Sequence, residues 1–101
     1  MKPEKLFVEL EEIVEQLGYK VRKERGSFRG GFCVVSGTKL VMINKNHPAD
    51  IQAGFLAKFL RDQNLEDIFV KPATRKELEN KWAEFQLSEQ KNSDLFTTED
   101  E

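Results

Sequence analysis

Cys33 and His47 are the only residues of their kinds in the 101-residue chain. As a nucleophile and its base they would have to meet within hydrogen-bond reach, ~3 Å. Their settings point elsewhere. Cys33 lies inside the apolar run Phe32-Cys-Val-Val35, where a free thiol behaves as a small buried hydrophobe. His47 precedes Pro48 at a helix start, a place for capping or contact with solvent. Structural zinc takes about four Cys or His ligands and catalytic zinc about three, Asp and Glu included. One cysteine and one histidine do not supply them, and no Asp-x-Asp or Asp-x-x-Asp pair suggests magnesium. Gly26, Gly30 and Gly31 are not a phosphate loop, because no helix opening on Lys-Ser or Lys-Thr follows them. Glu9, Glu11, Glu12 and Glu15 read as the wet face of a helix, not as an acid–base pair. No catalytic residue, cofactor or metal ligand is assigned.

Two groups are candidates for binding. Lys20, Arg22, Lys23, Arg25 and Arg29 fall within ten residues, opposed only by Glu24, with Phe28 among them. A basic strand and loop with an exposed aromatic can hold single-stranded nucleic acid by phosphate contact and base stacking. The whole chain is acidic, with net charge −2 and pI ≈ 5.5, whereas dedicated nucleic-acid binders carry a basic domain. An acidic protein surface fits the same cluster. The second group is Trp82 with Phe85, on a helix that leads into an acidic end.

These residues need elements to hold them. Leu6, Phe7, Leu10, Ile13, Val14 and Leu17 recur at helical spacing after Pro3, and Gly18 stands where a left-handed cap would end the helix. Tyr19 and Val21 alternate with Lys20 and Arg22 as in a strand with one wet face. Phe32–Val35 and Leu40–Ile43 flank Ser36-Gly37-Thr38-Lys39 and read as a hairpin. A second helix follows Pro48, with Ile51, Phe55, Leu56, Phe59 and Leu60 as its expected buried stripe. Asp67–Val70 reads as a short strand, and Leu78, Trp82 and Phe85 mark a third helix. The expected fold is α+β in the order α-β-β-β-α-β-α, an antiparallel meander with helices on one face.

The size suits one domain, placed at residues 1–87. From Ser88 onward Glu89, Asp94, Glu99, Asp100 and Glu101 oppose Lys91 alone, a net −4, so residues 88–101 are expected to form an acidic, disordered tail. The preceding residues carry +2, from 15 basic and 13 acidic side chains. A lone cysteine allows no intrachain disulfide, and glutamates interrupt any leader-like or membrane-spanning run, so the cytoplasm is the expected compartment.

The words Leu40-Val-Met-Ile-Asn44 and Phe55-Leu-Ala-Lys-Phe-Leu-Arg-Asp62 resemble the centre of zinc metallopeptidases of the phage-repressor-cleaving type. In those proteins a strand ending in Ile-Asn, a charged turn and a helix bearing Leu-Ala-His-Glu-x-x-His lie in succession. The resemblance covers residues 31–62 and implies an α+β fold with the strand lying across the helix. In register, Lys58, Phe59 and Asp62 replace the first histidine, the glutamate and the second histidine, which leaves a metallopeptidase-like fold without its metal site. The chain also resembles small bacterial proteins that share the Gly-Gly-x-Cys hairpin and the Ile-Asn-Lys turn.

Two functions follow as alternatives. One is a non-catalytic interaction domain that binds another protein or pairs with itself as a homodimer. The other is a nucleic-acid-binding module using the basic loop at 20–31. No membrane partner is expected.

Overall fold

The computed structural model describes residues 1–26 and 31–99, and their side chains except those of 32–35 and 90–99. Helix α1 spans Pro3–Gln16 and buries Leu6, Phe7, Leu10, Ile13 and Val14, the stripe its spacing announces. Gly18 ends it at φ +95°. The Gly18 N–H donates to the Glu15 carbonyl at 3.0 Å and the Tyr19 N–H to the Val14 carbonyl at 3.3 Å. A left-handed glycine thereby satisfies two carbonyls that the helix end leaves open.

Strands β1 (Lys20–Glu24), β2 (Gly31–Val35) and β3 (Thr38–Asn44) form one sheet in the order β1-β3-β2. The hairpin at Ser36-Gly37 is present. Val35 pairs with Thr38, and both turn residues have positive φ, +51° and +81°, the geometry whose twist matches paired antiparallel strands.

The expected antiparallel meander does not form. β1 lies parallel to β3, with Val21 opposite Val41 and Lys23 opposite Ile43. β3 takes the centre because Val41 and Ile43 must be covered on both flanks and from the helices; both are buried. β1, in which only Val21 is uncharged, goes to an edge, where charge discourages pairing with another chain. Asn44 fixes the parallel alignment. Its Nδ2 donates to the Gly26 carbonyl at 3.0 Å, while the next residue's N–H, that of Lys45, donates to the Glu24 carbonyl at 2.8 Å. The Asn46 N–H donates to Asn44 Oδ1 at 2.9 Å, and Gln52 Nε2 donates to the Asn44 carbonyl, also at 2.9 Å. Asn44 and Gln52, both buried, thus carry a polar clamp that joins strand, turn and following helix.

Asp67–Val70 does not form the fourth strand, so the order is α-β-β-β-α-α. A four-residue strand exists only through a partner. Here Gln16 Nε2 holds the Phe69 carbonyl at 3.3 Å and Ile68 and Val70 pack on the core, leaving Phe69 70% exposed.

Helix α2 spans Ala49–Arg61 and α3 spans Pro72–Glu99. The helical backbone of α3 runs through residues 88–99, where the sequence suggests a tail. α1, α2 and β3 enclose the core, to which α3 contributes Leu78. The stripe expected for α2 is displaced. Gln52, Ala53, Leu56, Ala57 and Leu60 are buried, whereas Ile51 is 51% exposed. Apolar residues cover more of this helix than one face, and the small residues Ala53 and Ala57 take the inward side.

Candidate functional site

Three contacts seat α3 on α2. Leu78 is buried, Trp82 Nε1 donates to the Ala57 carbonyl at 2.8 Å, and Arg61 grips Glu89 with both terminal nitrogens, at 3.1 and 2.8 Å. Arg61 holds the Glu89 carboxyl below its usual pKa chiefly through this hydrogen bond, with the charges of Arg61 and Lys58 adding to it. The Arg61 pKa is raised in return.

Beside these contacts lies a groove of about 650 Å³. Its apolar lining is Ile51, Gly54 and Phe55 from α2 with Phe85 from α3. Lys58 and Lys81 stand on opposite helices around it, and His47 and Asp50 close the end at the α2 N-terminus. Gly54 is notable because a Cβ built there would meet nothing within 4 Å. Glycine inside a helix costs roughly 0.5–1 kcal/mol relative to alanine. Packing within this chain does not require that cost.

Among the described residues, Lys20 and Arg22 do not share a face with Lys23. Strand alternation sends Lys20 and Arg22 to the sheet face that no described helix covers, where Arg22 Nε pairs with Glu24 at 2.7 Å. Lys23 turns to the helix side, its Nζ 4.4 Å from the centre of the Phe7 ring, a cation–π contact. On that side the Glu11 carboxyl is raised above its usual pKa by burial and by Glu15, with Lys23 opposing. Arg25 is exposed beyond the strand end, and Phe28 and Arg29 lie outside the described residues. Trp82 is half-buried and anchors α3 on α2 without itself lining the groove. The Cys33 side chain also lies outside the described residues; its backbone pairs with Leu40.

From sequence, Ile51 and Phe55 fall in the buried stripe of α2 and Phe85 stands beside Trp82 as a binding candidate, with no role for Lys81. The signal for the groove was the excess of apolar residues around α2. An open apolar trough with cations at its sides suits an amphipathic, acidic segment better than a reaction that must exclude water. Among the described residues no group of three or more His, Cys, Asp or Glu side chains is arranged to hold a metal ion, and no helix is long and apolar enough to cross a membrane. Comparison with family models, curated proteins and solved structures gives no match to this chain.

Proposed function

We propose that this chain is a non-catalytic interaction domain of the cytoplasm that self-associates through the groove between α2 and α3. The observation that carries the reading is Ile51, exposed in the middle of an apolar lining beside a glycine that internal packing does not require. A twofold dimer is the commonest way for one chain to cover such a surface with its own kind. The reading extends to descent from a metallopeptidase-like scaffold. Support for that is the succession of β3, the Asn44 turn and α2, with exposed Lys58 and Asp62 and the Phe59 ring packed edge-on against Tyr19 at 5.0 Å in place of metal-binding groups.

Sedimentation equilibrium tests the function. Wild-type protein should associate, and Ile51→Lys should be monomeric with an unchanged circular dichroism spectrum. Association that survives Ile51→Lys would remove the groove from the account. Nucleic-acid binding is separated by salt: retention on single-stranded RNA through phosphate contacts falls steeply as salt rises, whereas apolar self-association does not.

A further inference from the structure

The α2 side of the groove is lined by Asp50, Ile51, Gly54, Phe55 and Lys58. At 3.6 residues per turn this spacing falls on one face of the helix, within an arc of ~140°. Along that face the order is acid, apolar, glycine, apolar, base. Gly54 stands at the middle, four residues from Asp50 and four from Lys58. Such a stripe complements a copy of itself run in the opposite direction. We infer that the groove of each chain receives the α2 helix of a second copy, the two α2 helices crossing antiparallel on a twofold axis at Gly54. The inference rests on the self-association proposed above and names the part of the partner that fills the groove.

The charges set the direction. Asp50 and Lys58 are both exposed, and among the described residues neither makes an ion pair within its own chain. Asp50 Oδ1 accepts the Ile51 N–H at 2.9 Å, which ties the carboxylate to the first turn of the helix. The two charges lie ~12 Å apart along α2, at 1.5 Å per residue. Across the axis they come level, because Asp50 of one chain and Lys58 of the second copy are each ~6 Å from it on the same side. The twofold repeats this, so the dimer holds two such pairs. A parallel pair would set Lys58 beside Lys58 and Asp50 beside Asp50, and like charges together disfavour it.

Gly54 sets the place. A Cβ there would meet nothing within 4 Å, and Gly54 is not among the residues with positive φ, so neither space nor backbone conformation in this chain asks for glycine. At a crossing point the missing side chain lets two helix axes approach toward the short end of the usual range of about 8–10 Å. Ile51 and Phe55 flank that point. In this register Ile51 of one chain lies ~3 Å along the axis from Phe55 of the second copy, so the ring covers a side chain that is otherwise 51% exposed. Phe85 of α3 forms the far wall, and the incoming helix rests between α2 and α3. This is the helix-in-groove mode, with both grooves of the dimer filled at once.

Charge reversal on the full-length chain tests the register. Asp50→Lys and Lys58→Asp, each alone, should weaken dimerisation by about tenfold or more, because each sets like charges together twice per dimer. The chain carrying both substitutions should dimerise within about threefold of the wild type, since both pairs are again of opposite sign. Both substitutions oppose the α2 dipole, so recovery in the double variant cannot come from a more stable helix. Sedimentation equilibrium of the three variants and of Ile51→Lys separates the outcomes. If Ile51→Lys abolishes association while Asp50→Lys and Lys58→Asp keep the wild-type affinity, the groove is an interface in another register and this inference falls. It falls equally if the single variants weaken and the double variant is no tighter than they are. Monomeric wild-type protein would overturn both the inference and the reading beneath it.

Discussion

Two surfaces of the molecule carry apolar residues that no described helix fully covers, and they are built differently. On the outer face of the sheet Leu40 and Met42 are half-buried. Their register partners in β1 are the exposed Lys20 and Arg22, long side chains of the kind that cover apolar surface with their stems while the charge stays in water. Charge at this edge also blocks strand pairing. In the groove the charges sit apart on α2 and α3, and between them Ile51 stays 51% exposed beside the empty space at Gly54. The same residue types serve as a cover in one place and as a frame in the other. Exposed charge near apolar surface therefore has to be read by position, and Lys20 and Arg22 of the basic cluster belong to the covering kind.

The largest effect expected on the groove comes from its framework. Trp82→Ala removes a half-buried ring and its bond to the Ala57 carbonyl. Destabilisation of about 3 kcal/mol should result, with loss of association because Phe85 and Lys81 are no longer held beside α2. Denaturant titration and sedimentation of one sample read both. A stable variant that still associates would show that α3 is held elsewhere.

Gly54→Ala separates stability from binding. Alanine should raise stability by about 0.5–1 kcal/mol, since its methyl meets no neighbour and helix propensity improves. The same methyl enters the groove and should weaken the dimer. Stabilisation with unchanged affinity would mean that the space at Gly54 is not used.

The covering surface should respond least. Arg22→Ser together with Arg25→Ser should change stability by no more than about 0.5 kcal/mol and leave association as it was. A monomeric double variant would transfer the interface to the sheet and reverse the comparison.

Acid should act on Glu89 and Glu11 in opposite directions and only slightly. The Glu89 carboxyl is held below its usual pKa by Arg61, so its contribution is present above the usual carboxylate range and lost as pH falls through the folded pKa. Burial and Glu15 raise the Glu11 carboxyl above its usual pKa, so its ionised form is disfavoured in the folded protein at neutral pH, and that penalty disappears as pH falls below the raised pKa. Glu89→Gln should lower the melting temperature at pH 7 and Glu11→Gln should raise it, with both differences vanishing in acid. Reversed signs at pH 7 would contradict the assigned causes.

Local features were legible in the sequence because they depend on near neighbours. The α1 stripe, its Gly18 cap and the Ser36-Gly37 turn need only spacing and backbone preference. The parallel pairing of β1 with β3 was not legible, since Asn44 fixes it through contacts with Glu24 and Gly26 that arise only in the folded chain. Asp67–Val70 has strand-like residues but no strand partner among the described residues, and partners are not written in a four-residue segment. The groove was missed for a related reason. Ile51 and Phe55 fit a helical stripe, and only the packing of Ala53 and Ala57 against the core decides that this stripe is turned partly outward. Lys58 and Lys81 are 23 residues apart and become neighbours of one surface through the Trp82 contact.

We propose that the groove and not the sheet face is the contact between chains. Methyl NMR on a dilution series of the wild-type protein tests it directly, with Ile51 reporting on the groove and Met42 on the sheet. On dilution through the dimer–monomer transition the Ile51 methyl resonance should shift while that of Met42 stays in place. Movement of Met42 with a stationary Ile51 would contradict the account and place the interface on the strands.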